Sequence, residues 1–279
     1  DRYQYLIDLG KRLPALAASL GSLYVVYLLI QKLGFDEWQK NLTAALVAFF
    51  PGLLWTAQNA RVYALLSLLY LLAYYYALEG KWRHLGADSV LMLYSHNTAP
   101  FLLAAVYLIA VIHHDRLGEW QKILKTGALS LLAFAPWIPS IIGRSGTFWL
   151  GDWMPGDAML QMVFSVWVGT LPGDIPFLFF AFATISIVWL FIAITPNDNI
   201  AWLLILPLFL MVMYSIAAQN IFFYRPLIAL VIPLALWVGS ILPEKTWAKA
   251  TVTLGWLALL GVGLWHWQPA AKGAHLDRA

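Results

Sequence analysis

Cysteine is absent from the 279 residues, which excludes a disulfide frame and thiolate chemistry. Charge is scarce too, at 11% of residues, where a soluble domain carries about a quarter. The net charge is only +3, and no basic run interleaves with aromatics, so nucleic acid is not an expected partner. There is no glycine loop to cradle a nucleotide phosphate, no zinc motif and no nucleophile elbow. No cleavable signal sequence and no internal repeat is visible.

What fills the chain is hydrocarbon. Hydrophobic residues make up 62% of it, in recurring runs of about 17–25 residues, the length that crosses a bilayer as a helix. Fifteen Trp and thirteen Tyr suit the two interfacial belts. The expected fold class is all-α: a polytopic integral membrane protein of about 9–10 transmembrane or half-membrane helices. Spans are placed at 14–31, 41–57, 62–78, 119–142, 175–194, 200–217, 226–242 and 250–266.

The stretch 86–113 is long enough for one pass or for two short helices broken at SHNTAP. Loop charge favours the hairpin. With a hairpin, Lys32, Lys40, Lys81, Arg83, Arg116, Lys122, Lys125, Lys245 and Lys249 share one side, against Arg61, Arg144 and Arg225 on the other. With a single pass the two sides carry equal numbers. The lysine-rich loops are therefore expected to be cytoplasmic. Pro100 lacks a backbone donor, and Ser95, Asn97 and Thr98 can serve local backbone groups at the break.

Three polar clusters then reach the outer face: AQNAR around Arg61, YSHN around His96 and FFYRP around Arg225. Burying a cation in a bilayer costs about 2.5–3.5 kcal/mol on insertion scales. A cation at the membrane edge costs less and can meet an anionic headgroup. The planar guanidinium gives phosphate paired hydrogen bonds. Arg61, His96 and Arg225 are thus the expected phosphate ligands. Gln58 and Arg61, three apart, are expected on one helix face. His113, His114 and Asp115 resemble metal ligands but fall in an inner loop. Asp152 and Asp157 lie in a turn-rich outer loop.

The segments RLPALAASLGSLYVVYLL, FFPGLLWTAQNARVYALL, LMLYSHNTAPFLL, APWIPSII and FFYRPLIALVIPLAL follow one another in order. This ordered set resembles the GT-C superfold glycosyltransferases, namely the bacterial relatives of protein O-mannosyltransferases and of aminoarabinose transferase. The resemblance implies transfer of a sugar from a polyprenyl-phosphate donor to an acceptor hydroxyl on protein, lipid or glycan, at the outer face of a bacterial inner membrane. It implies donor-phosphate contacts from Arg61, His96 and Arg225. It places Gln58, Asn59, Tyr63, Tyr94, Asn97, Tyr224 and Asp152 around the substrate cavity.

Asn59 stands where the family has Glu. An amide is neither a base nor a strong anionic metal ligand, so no cofactor is expected, and a divalent ion at His96 lacks its partner. The family's general base follows its first helix, and that segment would precede Asp1. The chain is accordingly expected to be a membrane-embedded domain over 1–267, incomplete at its N-terminus, with a tail over 268–279. Without that carboxylate it is expected not to turn over by itself. The competing expectations are a transporter or flippase of a lipid-linked sugar, which needs the same cations but no base, and a non-catalytic assembly subunit.

Overall fold

The computed structural model describes residues 2–58, 61–114, 116–142, 199–218, 221, 227–243 and 245–273. Helices α1 (Arg2–Lys32), α2 (Glu37–Phe49), α3 (Pro51–Gln58), α4 (Tyr63–Leu78), α5 (Trp82–Ser95), α6 (Ala99–His113) and α7 (Leu117–Phe134) follow in order. A 3-10 turn (Ala135–Trp137) leads to the short α8 (Ile138–Ile142). After the undescribed stretch come α9 (Asn199–Ala217), a 3-10 turn (Ile228–Leu230), α10 (Val231–Ser240) and α11 (Thr246–Gly273). The described residues form no strand. Among the described residues, four stretches are long and apolar enough to cross a membrane: Gly10–Lys32, Leu117–Ser140, Asn199–Ala217 and Thr246–Leu264. The span predicted at 175–194 lies outside the described residues.

Helix α4 is the axis of the bundle. It is apolar on every side, which suits burial on every side. Leu66, Tyr70, Leu71, Ala73 and Tyr74 are all almost fully enclosed. The Tyr70 hydroxyl donates to the Leu203 carbonyl on α9 at 2.6 Å, which removes the penalty of sinking a phenol into the core. Helix α10 is likewise buried along its length, from Val231 to Gly239.

Local chemistry sets the breaks. The sequence predicts one span over 41–57, but the structure divides it into α2 and α3 at Phe50–Pro51. A residue before proline is pushed towards extended backbone, and Phe50 has ψ 123°. Pro51 then opens α3, where its missing N–H is harmless. The predicted helix face shared by Gln58 and Arg61 does not form. Helix α3 ends at Gln58, and Arg61 lies in the bend before α4. Helix α11 runs to Gly273, past the tail boundary at 267.

Helices α1 and α4 stop alike. Gly34 and Gly80 adopt φ of +70° and +65°, the left-handed cap conformation that glycine tolerates. Phe35 N–H bonds back to the Ile30 carbonyl and Lys81 N–H to that of Tyr76, closing the terminal turns. Asp36 and Gln39 form a reciprocal capping box at the start of α2, both bonds at 2.8 Å.

These caps gather at one end. Lys32 meets Glu79 at 2.6 Å, Lys249 meets Asp36 at 2.6 Å, and His114 Nε2 donates to the Ala77 carbonyl at 2.8 Å. The inter-helix loops at 33–36, 79–81, 114–116 and 241–245 therefore share a face of the bundle. That arrangement requires α5 and α6 to run out and back, so 86–113 is a hairpin with its turn at the opposite end.

Candidate functional site

The hairpin turn is short and internally bonded. Helix α5 ends at Ser95, His96 is extended, and Thr98 leads into α6 with Pro100 in its first turn. Ala99 N–H donates to the His96 carbonyl at 3.0 Å. The His96 ring is also fixed. Its Nδ1 accepts from the Thr98 N–H at 3.2 Å and pairs with Thr98 Oγ1 at 2.8 Å. A nitrogen that accepts from an amide carries no proton of its own. With Nδ1 assigned as the acceptor of that amide, the ring is the neutral tautomer that carries its proton on Nε2. His96 acts here as a hydrogen-bond donor rather than as a cation.

The Tyr63 ring lies against it. The two ring centroids are 5.5 Å apart, with the planes tilted by 54°. Tyr63 opens α4, two residues after Arg61. The Arg61 side chain is exposed, and among the described residues no carboxylate lies within ion-pair distance of it. A guanidinium, a phenol and an imidazole N–H are thus supplied by two adjoining chain turns. Asn97 is exposed in the same turn.

Tyr94 goes elsewhere. Its hydroxyl donates to the Ala133 carbonyl at 3.0 Å, and its ring packs on Phe134 at 5.3 Å and Trp137 at 6.0 Å. It anchors the end of α7 to α5, whereas His96, past the helix end, packs on Tyr63, so the YSH run divides its work. Asn59, Asp152, Asp157, Tyr224 and Arg225 lie outside the described residues, as does the side chain of Gln58. The chain on either side of Arg225 is described. Ile221 N–H donates to Ser215 Oγ at 3.2 Å near the close of α9, and Leu227 is buried. Phe101 and Tyr214 meet at 5.6 Å, so α9 closes beside the start of α6.

Thr98 is the residue that sequence reasoning undervalued. It appeared only as a partner for the broken backbone, yet it sets the tautomer of His96. The legible signal was the His-x-Thr spacing just before an Ala-Pro helix start. Among the described residues no three His, Cys, Asp or Glu side chains gather as a metal set. His113 and His114 touch edge to face at 4.9 Å, and Asp115 lies outside the described residues. Set against family models, curated proteins and solved structures, the chain matches none of them.

Proposed function

We propose that the chain is a multi-pass protein of a bacterial inner membrane and serves glycosyl transfer by holding the donor phosphate at its His96 end. The donor is a sugar linked to polyprenyl phosphate, and the acceptor is a hydroxyl on a protein, lipid or glycan. The observation that carries the reading is the Tyr63–His96 ring contact at 5.5 Å. It joins two separate motifs at the end opposite the lysine-rich loops. The exposed leucines of α7, among them Leu124 at 69% and Leu132 at 68%, suit a surface that meets acyl chains.

In this reading the acceptor oxygen attacks the anomeric carbon and the bond from that carbon to the phosphate oxygen breaks. The electron pair leaves with the phosphate. Arg61 meets the growing charge with a two-pronged hydrogen bond. His96 Nε2–H and the Tyr63 hydroxyl add neutral donors, and Arg225 supplies a second guanidinium. The proton of the acceptor hydroxyl passes to a general base, which is not assigned to any residue of this chain, so that alcohol and donor give glycoside, polyprenyl phosphate and one proton.

Binding of the leaving group tests the reading directly. The full chain in nanodiscs should bind polyprenyl monophosphate, and Arg61→Ala should weaken it about tenfold, the loss of one charged hydrogen bond. Unchanged binding in Arg61→Ala would remove the basis for a donor site here. Radiolabelled sugar transfer in membranes carrying the chain then separates binding from turnover.

A transporter is favoured by one observation. Asp88, only 5% exposed, sits in the middle of α5 with Oδ2 lacking a hydrogen-bond partner. Ionisable groups inside a helical bundle often mark a translocation path. Flux of a lipid-linked sugar in proteoliposomes, abolished by Asp88→Asn but not by Arg61→Ala, would favour that reading over transfer.

A further inference from the structure

A second cluster lies at the end of the bundle away from His96. Trp82 opens α5, His113 and His114 close α6, and Arg116, Glu119 and Lys122 stand at the start of α7. They surround a cavity of about 520 Å³. Its walls are held from within. Trp82 Nε1 donates to Glu119 at 2.7 Å, and Lys122 binds the other oxygen of that carboxylate at 2.7 Å. The Trp82 ring meets His114 edge-on at 5.0 Å, and His114 is fixed by its bond to Ala77. Glu119 is thereby occupied twice. Among the described residues Arg116 has no carboxylate within ion-pair distance.

The lining is net positive. Of the ionised side chains that line the cavity, Arg116 and Lys122 outnumber Glu119. Such a pocket selects an anion with several acceptor oxygens.

An apolar groove of about 560 Å³ runs along the same helices. Tyr107 and Val111 line it on α6, and His114 continues that stripe at helical spacing. Ile123 and Gly127 line it on α7, each four residues beyond the last from Glu119. One stripe of each helix therefore carries the cationic pocket at its end and the groove along its flank. The groove's polar atoms are bonded among themselves. Ser89 Oγ pairs with the Tyr107 hydroxyl at 3.1 Å, and Ser130 donates to the Thr126 carbonyl at 2.9 Å. An unfunctionalised hydrocarbon chain suits such a wall. Leu108, Leu124 and Leu131 form an exposed rim.

We propose that pocket and groove together hold one anionic phospholipid, its phosphate on Arg116 and Lys122 and one acyl chain between α6 and α7. A soluble phosphate compound shares the headgroup chemistry but has nothing to place in the groove. The inference rests on the membrane part of the proposed function and is independent of sugar transfer. The two sites lie at opposite ends of the bundle.

The test is native mass spectrometry of the full chain in detergent, titrated with equimolar dioleoylphosphatidylglycerol and dioleoylphosphatidylcholine. Phosphatidylglycerol should be retained about tenfold over phosphatidylcholine, as expected for two basic contacts partly screened. Arg116→Gln with Lys122→Gln should abolish the preference. Ala128→Phe, which projects a ring into the groove, should reduce retention of both lipids. All three side chains are exposed, so these changes spare the core. Equal retention of the two lipids by the wild type would overturn the proposal, as would indifference to either variant. Loss in the charge variant alone, with displacement by millimolar inorganic phosphate, would assign the pocket to a soluble phosphate instead. Polyprenyl monophosphate binding at the Arg61 end should be unchanged throughout, so failure here is distinct from failure of the transferase reading.

Discussion

Lys32 Nζ lies 2.6 Å from Glu79 Oε1, and this pair ties the last turn of α1 to the last turn of α4. Lys249 makes a matching 2.6 Å contact with Asp36 between α11 and the start of α2. Two long helices are thereby latched to the central bundle at the same end.

These latches give stability a definite pH dependence. The Lys32 ammonium, assisted by Lys81, holds the Glu79 carboxyl below its usual range, and Lys249 with the Gln39 N–H does so for Asp36. A carboxyl lowered in the folded state stabilises the fold above its unfolded value and loses that contribution as pH falls through the folded value. The melting temperature in detergent should be level above pH ~5 and fall below pH ~4. Glu79→Gln should flatten part of that fall. Both pairs are solvent-accessible, so each contributes about 0.5 kcal/mol.

Gly239 marks where α10 crosses α2. A methyl group there would collide with Thr43 Oγ1 and crowd Phe35. Gly239→Ala should destabilise by about 1–3 kcal/mol, as overpacking does. Thr43→Ala in the same chain should restore part of the loss, and thermal melts of the two single variants and the double variant measure that coupling.

The neutral His96 ring makes a prediction separate from charge. His96→Gln can keep a donor near Nε2, so polyprenyl monophosphate binding should stay within about threefold. His96→Ala should lose about tenfold, the worth of one hydrogen bond to a charged group. Equal losses in a nanodisc binding assay would mean that His96 only shapes the turn.

Asp88 keeps a buried carboxylate oxygen without a partner, which costs about 1–3 kcal/mol. Asp88→Leu should therefore raise the melting temperature. A lowered one would show that the carboxylate stabilises the fold in a way that its contacts do not reveal.

Much of the layout was legible in the sequence because charge and proline act locally. The lysines of 31–40, 79–86, 113–125 and 243–249 sorted the loops, and the bonds Lys32–Glu79 and His114–Ala77 place those loops together. The SHNTAP break was legible because Pro100 disfavours helical backbone at the residue before it and suits the first turn of a helix. The helix over 62–78 was found within a residue. Helix periodicity failed across AQNAR because it assumed a continuous helix, whereas Pro51 had already forced a new one that ended at Gln58. The family resemblance sets Tyr94 beside His96, yet Tyr94 in the last turn of α5 bonds to Ala133, while His96 lies past the helix end against Tyr63. The Trp82–Arg116 pocket was invisible because its residues come from three helix ends. Only packing brings an indole, two imidazoles and a guanidinium around one hollow.

The hairpin has one consequence for the bilayer around it. Helix α6 has 15 residues and α5 has 14, so each rises only ~20 Å along its axis. The hydrocarbon layer is about 30 Å thick. If the bundle spans a bilayer as proposed, with the lysine-rich loops at one surface, the His96 turn would stop well short of the other. Lipid would then dip to meet it, or water would fill a funnel above it. A carrier's headgroup arriving at Arg61 would thus descend into a dimple, and its isoprenoid tail would lie splayed along the leaflet rather than upright.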